Sequence, residues 1–339
     1  MSEQWTVDVL GEPFQQQTVS LGEDSEGEVV ATVVRLLPSV GGKLGRMLSA
    51  HTVLDFLPGH GPFSDIDVLY VHGWSDYFFQ KRLARFWTAR GARFFALDLR
   101  KYGRSLREGQ TPGFTTDLGV YDEDIAAALD ARGDATGRRL VLLGHSTGGL
   151  TLSLWAGRHA DAVDALILNA PWLEFQVSRS AVAPVIEFGA RHRPMDAAPQ
   201  VDLGFYTRAQ REVADPDDPV EVNLDWRPEQ TMPVHAGWLN AVLRGQGTVA
   251  RGLGITAPVC VLLSTRTAIP TRWSPELTRA DSVLVVDDIA KAALKLGRTV
   301  TVERIDGALH DVFLSAHDAR EDAYVTLGRW VTGWNATTR

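Results

Sequence analysis

Gly144-His145-Ser146-Thr147-Gly148 is a G-x-S-x-G sequence placed between two readable elements. The apolar run "RLVLLGHS" (139–146) precedes it as a strand, and "GGLTLSLWAGRHA" (148–160) follows as a helix. A serine at such a junction can sit on a tight turn that lifts its hydroxyl out of the sheet. Small neighbours are needed there because larger ones would clash. The turn also aims the N-terminus of the next helix at the reaction centre. A serine hydroxyl is a weak nucleophile until a base takes its proton. Acyl transfer also needs two backbone N–H groups aimed at the developing oxyanion. The residue after the nucleophile, Thr147, supplies one. In "LYVHGWSDYF" (69–78), His72-Gly73 forms a turn after an early strand, and Trp74 offers the second.

A nucleophile of this kind is followed along the chain by its acid and then by its histidine. Nine histidines are available. His310, in "ERIDGALHDVF", follows the last expected strand in a glycine-containing loop, where a base can be presented to the sheet's C-terminal edge. His317 is also late but heads into the final helix. His72 and His145 flank motif positions and read as structural. His235, in the segment before the second half of the strand series, could contact a substrate, but a polar surface residue is the simpler reading. For the acid, "TRADSVLVVDDIAK" (278–291) offers Asp281, Asp287 and Asp288. Asp281 stands 29 residues before His310, room for one helix and one strand with their loops. Asp287 and Asp288 directly precede "IAKAALKLG" and read as an N-cap and a first-turn acid. Asp281 is the favoured acid, with Asp287 second and Asp288 or another residue after it.

These groups need a scaffold, and the flanking sequence predicts one. "DVLYVHG" (67–73), "ARFFALDLR" (92–100), the 139–146 run and "VDALILNAP" (163–171) are short apolar runs of the kind buried in a parallel sheet. Helices are expected between them at 80–91, with Gly91 as its stop, at 118–132 and at 148–160. The series breaks over 172–254 and resumes with "APVCVLLS" (257–264), a helix near 287–297, "RTVTVERI" (298–305) and a helix near 320–335. This alternation argues for an α/β fold with helices on both faces of a mostly parallel sheet. The chain divides into 1–65, a β-hairpin with "EVVATVVRLL" (28–37) as a strand and an irregular stretch at 38–64; 66–171, the first half of the core; 172–254, an inserted and mainly helical cap; and 255–339, the second half.

"VHGWSDYF", "ALDLRKYGRS", "GHSTGG" and "DGALHD" occur in the order and positions seen in α/β-hydrolases of the monoglyceride lipase and lysophospholipase type. These share a core with esterases and with proline iminopeptidase-like serine peptidases. The resemblance covers most of 66–171 and 255–335. It implies an α/β-hydrolase fold, a Ser-Asp-His triad of Ser146, Asp281 and His310, a helical cap over an acyl pocket, and no cofactor or metal. "DLRKYGRS" (98–105) resembles a loop that supports the oxyanion side. "ADSVLVVDD" resembles the family's alanine-aspartate turn, whose first aspartate is the triad member. The sequence departs from the pattern after "VLLS", where the usual early aspartate is missing and none follows until Asp281.

The expected activity is therefore hydrolysis of a carboxylic ester, with a monoacylglycerol- or lysophospholipid-like substrate. Peptidase, C–C hydrolase, acyltransferase and non-catalytic binding roles remain alternatives on the same fold. Epoxide hydrolase and dehalogenase chemistry is disfavoured, since those relatives place a carboxylate where Ser146 stands. Trp172, Phe175, Phe205, Tyr206, Trp226 and Trp238 in the inserted segment suggest an apolar acyl partner, although packing onto the core is the simpler role for most of them. The formal charge of −8 argues against nucleic acid and anionic lipid as partners. The single cysteine, Cys260, sits in a strand and reads as an inert buried thiol. The polar, acidic N-terminus lacks the features of a secretion signal, and no window is apolar enough to span a membrane, so the cytoplasm is the expected location.

Overall fold

The computed structural model describes residues 4–38, 61–175, 179–198, 202–216, 219–269 and 271–338, with backbone only for 179–182. Residues 39–60 of the stretch expected to be irregular lie outside the described residues. Among the described residues, nine strands form one sheet: β1 (Thr6–Val7), β2 (Gln15–Asp24), β3 (Gly27–Leu36), β4 (Ile66–Val71), β5 (Arg93–Asp98), β6 (Arg139–His145), β7 (Ala165–Asn169), β8 (Val259–Ser264) and β9 (Val300–Ile305). Their spatial order is β1-β2-β3-β5-β4-β6-β7-β8-β9. The pairs from β1 to β5 are antiparallel, and those from β5 to β9 are parallel.

The parallel strands alternate faces residue by residue, as the pleat demands. Ile66, Val68 and Tyr70 of β4 join one buried cluster, while Leu69 and Val71 join the other. β8 repeats this, with Cys260 and Leu262 on one side and Val259, Val261 and Leu263 on the other. Both faces are therefore apolar, which is why these strands read as unbroken hydrophobic runs.

Two helices cover the first face. α1 (Lys81–Thr88) contributes Leu83, Phe86 and Trp87 to that cluster, and the C-terminal helix His317–Thr337 contributes Ala323, Leu327 and Val331. The opposite face is covered by α2 (Tyr121–Ala131), α3 (Thr147–Arg158) and a helix at Val286–Ala293. Between β7 and β8 the chain forms α4 (Arg179–His192), α5 (Phe205–Glu212) and α6 (Ala236–Arg251). The helices after β8 and β9 are then α7 (Val286–Ala293) and α8 (His317–Thr337). Among the described residues, no helix is long and apolar enough to cross a membrane.

Sequence and structure differ at two places that matter for the site. Asp287 is not an N-cap. α7 starts at Val286 after Val285, and its first N–H is held by the Thr267 hydroxyl at 2.9 Å. Asp287 and Asp288 both lie inside the first turn. The final helix begins at His317, three residues earlier than expected, because its first turn is polar and carries little apolar periodicity.

Candidate active site

Ser146 connects β6 to α3 with φ 51° and ψ −116°. For a non-glycine residue this conformation costs ~1–3 kcal/mol and persists only when the surroundings enforce it. They do so here. The Ser146 N–H donates to Asn169 O at 3.0 Å, and Ser146 O accepts from Leu150 and Trp172 N–H at 3.2 and 3.0 Å. The flanking glycines are required by close approach. A Cβ on Gly148 would lie 2.2 Å from His72 O, and one on Gly144 would lie 2.7 Å from Gly149 Cα. The sequence pattern thus records a backbone collision that only glycine avoids.

His310 lies on the loop after β9, with its Nε2 3.0 Å from Ser146 Oγ. Its Nδ1 is 3.0 Å from Asp281 Oδ2. A carboxylate only accepts, so Nδ1 carries the proton and Nε2 presents its lone pair to the serine hydroxyl. Asp281 is fully buried, and its other oxygen accepts the Val283 and Leu284 N–H groups, each at 2.8 Å. Ser146 and His310 are also buried.

The departure noted after β8 has a structural reason. The chain leaves the sheet after Ser264, turns through a short 3₁₀ segment (Pro275–Thr278), and rejoins itself where Thr267 pairs with Asp281. Asp281 N–H donates to Arg266 O at 2.9 Å, and Ala268 N–H donates to Asp281 O at 2.8 Å. This return brings Asp281 back to the strand end, so an excursion lengthens the chain while the acid stays beside His310. Asp287 instead pairs with Arg304 at 2.7 Å on the surface.

Trp74 lies on the turn after β4 and Thr147 is the first residue of α3. As a first-turn residue, Thr147 has no acceptor for its N–H within its own helix. His72 braces the Trp74 turn from beneath. Its Nδ1–H donates to Gly73 O at 2.8 Å, and its Nε2 accepts the Leu99 N–H at 3.1 Å. The "DLRKYGRS" loop closes the other side. The Asp98 carboxylate accepts from Phe78 N–H at 2.8 Å and from Arg104 N–H and Nη1 at 3.0 and 2.8 Å.

A cavity of about 230 Å³ opens over Ser146 and His310. Its lining is mixed: the apolar Trp74, Trp172, Val234 and Trp238, with the Trp74 and Trp238 ring centroids 3.8 Å apart, and the polar Asp76, Tyr206, Thr207, Arg227 and Thr231. Of the aromatics noted in the inserted segment, Trp172, Tyr206 and Trp238 line the cavity. Phe175 stacks on Trp172, Phe205 faces Trp273, and Trp226 packs against Tyr77. Among the described residues, no group of three or more His, Cys, Asp or Glu side chains is arranged to hold a metal ion.

Several residues that sequence reasoning passed over hold this geometry. Asn169, at the end of β7, accepts at its backbone O from Ser146 N–H and from His145 Nδ1–H, the latter at 3.1 Å. Its side chain donates to Asp311 Oδ1 at 2.7 Å and accepts from Val312 N–H at 3.2 Å. Gln80 donates to the other Asp311 oxygen at 2.7 Å. Asn169 therefore joins the serine turn to the histidine loop. The second aspartate of "DGALHD", Asp311, was the available signal, but nothing local marks Asn169. His317 is exposed at the start of α8, and His235 packs edge-on against Phe114, half-buried rather than on the surface. Cys260 is fully buried, and burial pushes its thiol well up.

Burial also lowers His72 below its ordinary 6.5. Below about pH 6.5 the unfolded chain takes up a proton that the buried ring refuses, so this contribution to stability is complete above pH 6.5 and lost as pH falls. One such proton can contribute at most about 1.4 kcal/mol per pH unit. Urea unfolding at pH 7 and pH 5 measures it, and His72→Asn should flatten the dependence. Equal slopes in both proteins would mean that the folded ring takes up the proton after all.

The mostly parallel sheet with its strand-to-helix serine defines an α/β-hydrolase, a hydrolytic enzyme class. The model of the serine aminopeptidase (S33) family matches residues 65–314, and the chain belongs to that family. No curated protein sequence matches it. Solved structures share the fold. Monoacylglycerol lipase from Paleococcus ferrophilus is 17% identical, with TM-score 0.59 over 79% of this chain and 94% of its own. A soluble variant of monoglyceride lipase from Saccharomyces cerevisiae, solved with a substrate analog, is 14% identical, with TM-score 0.63 over 95% and 96%. A thermostable carboxyl esterase from Bacillus coagulans, solved with glycerol, is 14% identical, with TM-score 0.61 over 94% and 99%.

Proposed function

We propose that this chain hydrolyses carboxylic esters through an acyl-enzyme on Ser146. The observation that carries the reading is the continuous relay from Ser146 Oγ to His310 to Asp281, with both contacts at 3.0 Å. His310 Nε2 takes the hydroxyl proton as Ser146 attacks the ester carbonyl. The Trp74 and Thr147 N–H groups hold the oxyanion. Asp281 keeps the ring in the correct tautomer and stabilises its charged form. The tetrahedral intermediate collapses with His310 returning the proton to the leaving alcohol. Water, deprotonated by His310, then releases the acid. Residues 172–254 act as a cap whose tryptophans take the apolar acyl part.

An ester is favoured over a peptide N-terminus by the charges in the cavity. An aminopeptidase has to hold a free ammonium with an unpaired carboxylate. Among the described lining residues the acid is Asp76, and Arg227 Nε already lies 2.9 Å from it. The lipases and esterases that share the fold support the same choice, and a monoacylglycerol-like ester suits a cavity lined by both apolar and polar side chains. A panel of p-nitrophenyl esters of rising chain length, beside aminoacyl anilides, tests this. Turnover of the esters alone is expected. Preferential cleavage of the anilides would reverse the assignment.

A further inference from the structure

Two separate loops bring their groups to Ser146: the turn after β4 with Trp74, and the loop after β9 with His310. The same stretch of chain, 205–232, contacts both. Arg227 places its Nε 2.9 Å from Asp76 Oδ1, and its Nη2 donates to Gln210 Oε1 at 2.8 Å. Gln210 Nε2 donates to the Tyr206 hydroxyl oxygen at 2.8 Å, and that oxygen also accepts the Asp311 N–H at 3.1 Å. A continuous series of polar contacts thus runs from the turn that carries Trp74 to the residue after His310. The Tyr206 ring also meets His310 edge-on, with centroids 5.6 Å apart.

The Trp74 turn needs such support. Ser75 has φ 53°, a left-handed conformation that a non-glycine residue keeps only when its neighbours enforce it. The neighbours that do so come from the inserted segment. Met232 N–H donates to Ser75 Oγ at 3.0 Å, Asn223 N–H donates to the Tyr77 hydroxyl at 2.8 Å, and Arg227 engages Asp76. The Arg227 and Asp76 side chains are only 12% and 6% exposed, so this is not a solvated surface pair.

We propose that Arg227 is a positioning residue for acyl transfer. It fixes the Ser75–Asp76 turn so that the Trp74 N–H stays aimed at the oxyanion, and through Gln210 and Tyr206 it fixes the His310 loop against the same turn. This rests on the serine-hydrolase reading above. The inserted segment then does more than cover the cavity: it registers two halves of the machinery that the sheet leaves independent. The oxyanion is absent from the bound ester and forms only on the way to the tetrahedral intermediate, so a misplaced donor lowers kcat and leaves KM almost unchanged.

Arg227→Met alone strands a buried Asp76 carboxylate and can unfold the chain for that reason. The decisive variant is therefore the double one, Asp76→Asn with Arg227→Met, which removes both charges. Its thermal melt is recorded first. Steady-state hydrolysis of p-nitrophenyl butyrate and the rate of covalent labelling by a fluorophosphonate are then measured on the same preparation. The folded double variant should lose about 10²-fold in kcat, keep KM within about threefold, and label about 10²-fold more slowly. Arg227→Lys should fall between it and the wild type, since an ammonium can meet Asp76 but lacks the fork that also reaches Gln210. A folded double variant with wild-type kcat and labelling rate, or with its loss confined to KM, overturns the proposal. A wild-type chain that neither labels nor hydrolyses the ester overturns the serine reading and this one with it.

Discussion

Ser146→Ala should reduce ester turnover by about 10⁶-fold and abolish labelling by a fluorophosphonate, while the fold survives. The size follows from how the relay works. Without Oγ there is nothing for His310 to deprotonate, and what remains is the oxyanion donors and the binding of substrate. The fold should tolerate the change because the Ser146 hydroxyl bonds to His310 and the turn is held by backbone groups, through Asn169, Leu150 and Trp172. Alanine also has no greater difficulty than serine with the positive φ. His310→Ala should cost a similar amount, and combining the two should cost little more, because the residues act as one unit. Labelling that persists in Ser146→Ala would place the nucleophile elsewhere and remove the basis of the mechanism.

The parts of this site that can be read from the sequence are those fixed by local collisions and by sheet periodicity. The Gly144 and Gly148 positions are forced by backbone atoms within a few ångströms, so the serine turn is written in five consecutive residues. The strands before it and before Trp74 are buried on both faces and read as apolar runs. His310 follows from chain order. Asp281 was harder, because its place depends on the chain leaving β8 and returning to pair with Thr267. No local pattern encodes a return of that kind. The cap assigned to Asp287 failed because the Thr267 hydroxyl, well upstream, takes the helix N–H that an N-cap side chain would otherwise satisfy.

The polar framework was least legible. Asn169, Asp311, Gln80 and Arg227 are ordinary residue types at unremarkable spacings, and they become a network only when β7, β9, α1 and the inserted segment meet. The N-terminal hairpin was legible from its turn and from β3, but the extent of its first strand, β2, was not, for a different reason. It is a polar, half-exposed strand near the sheet edge, reading "QQQTVSLGED", and its pairing with β3 supplies what its side chains do not advertise.

Asp281→Asn should lower kcat by about 10⁴-fold with KM little changed. The surrounding bonds dictate why. Asp281 Oδ1 accepts two backbone N–H groups, from Val283 and Leu284, so an asparagine there keeps its carbonyl oxygen on that side. Its amide NH₂ is then turned toward His310 Nδ1. Two donors cannot face each other, so the ring must carry its proton on Nε2, pointing at Ser146 Oγ. The imidazole stays in place but can no longer accept the serine proton, and the charge it would acquire has lost its partner. Asp287→Asn provides the contrast six residues along. Its side chain is 71% exposed, and it gives up a surface pair with Arg304. Such pairs contribute about 0–1 kcal/mol, so activity should be unchanged and stability nearly so. Steady-state kinetics of the two variants on one p-nitrophenyl ester, beside their melting curves, make the comparison. A loss of turnover in Asp287→Asn with none in Asp281→Asn would move the orienting acid into the first turn of α7.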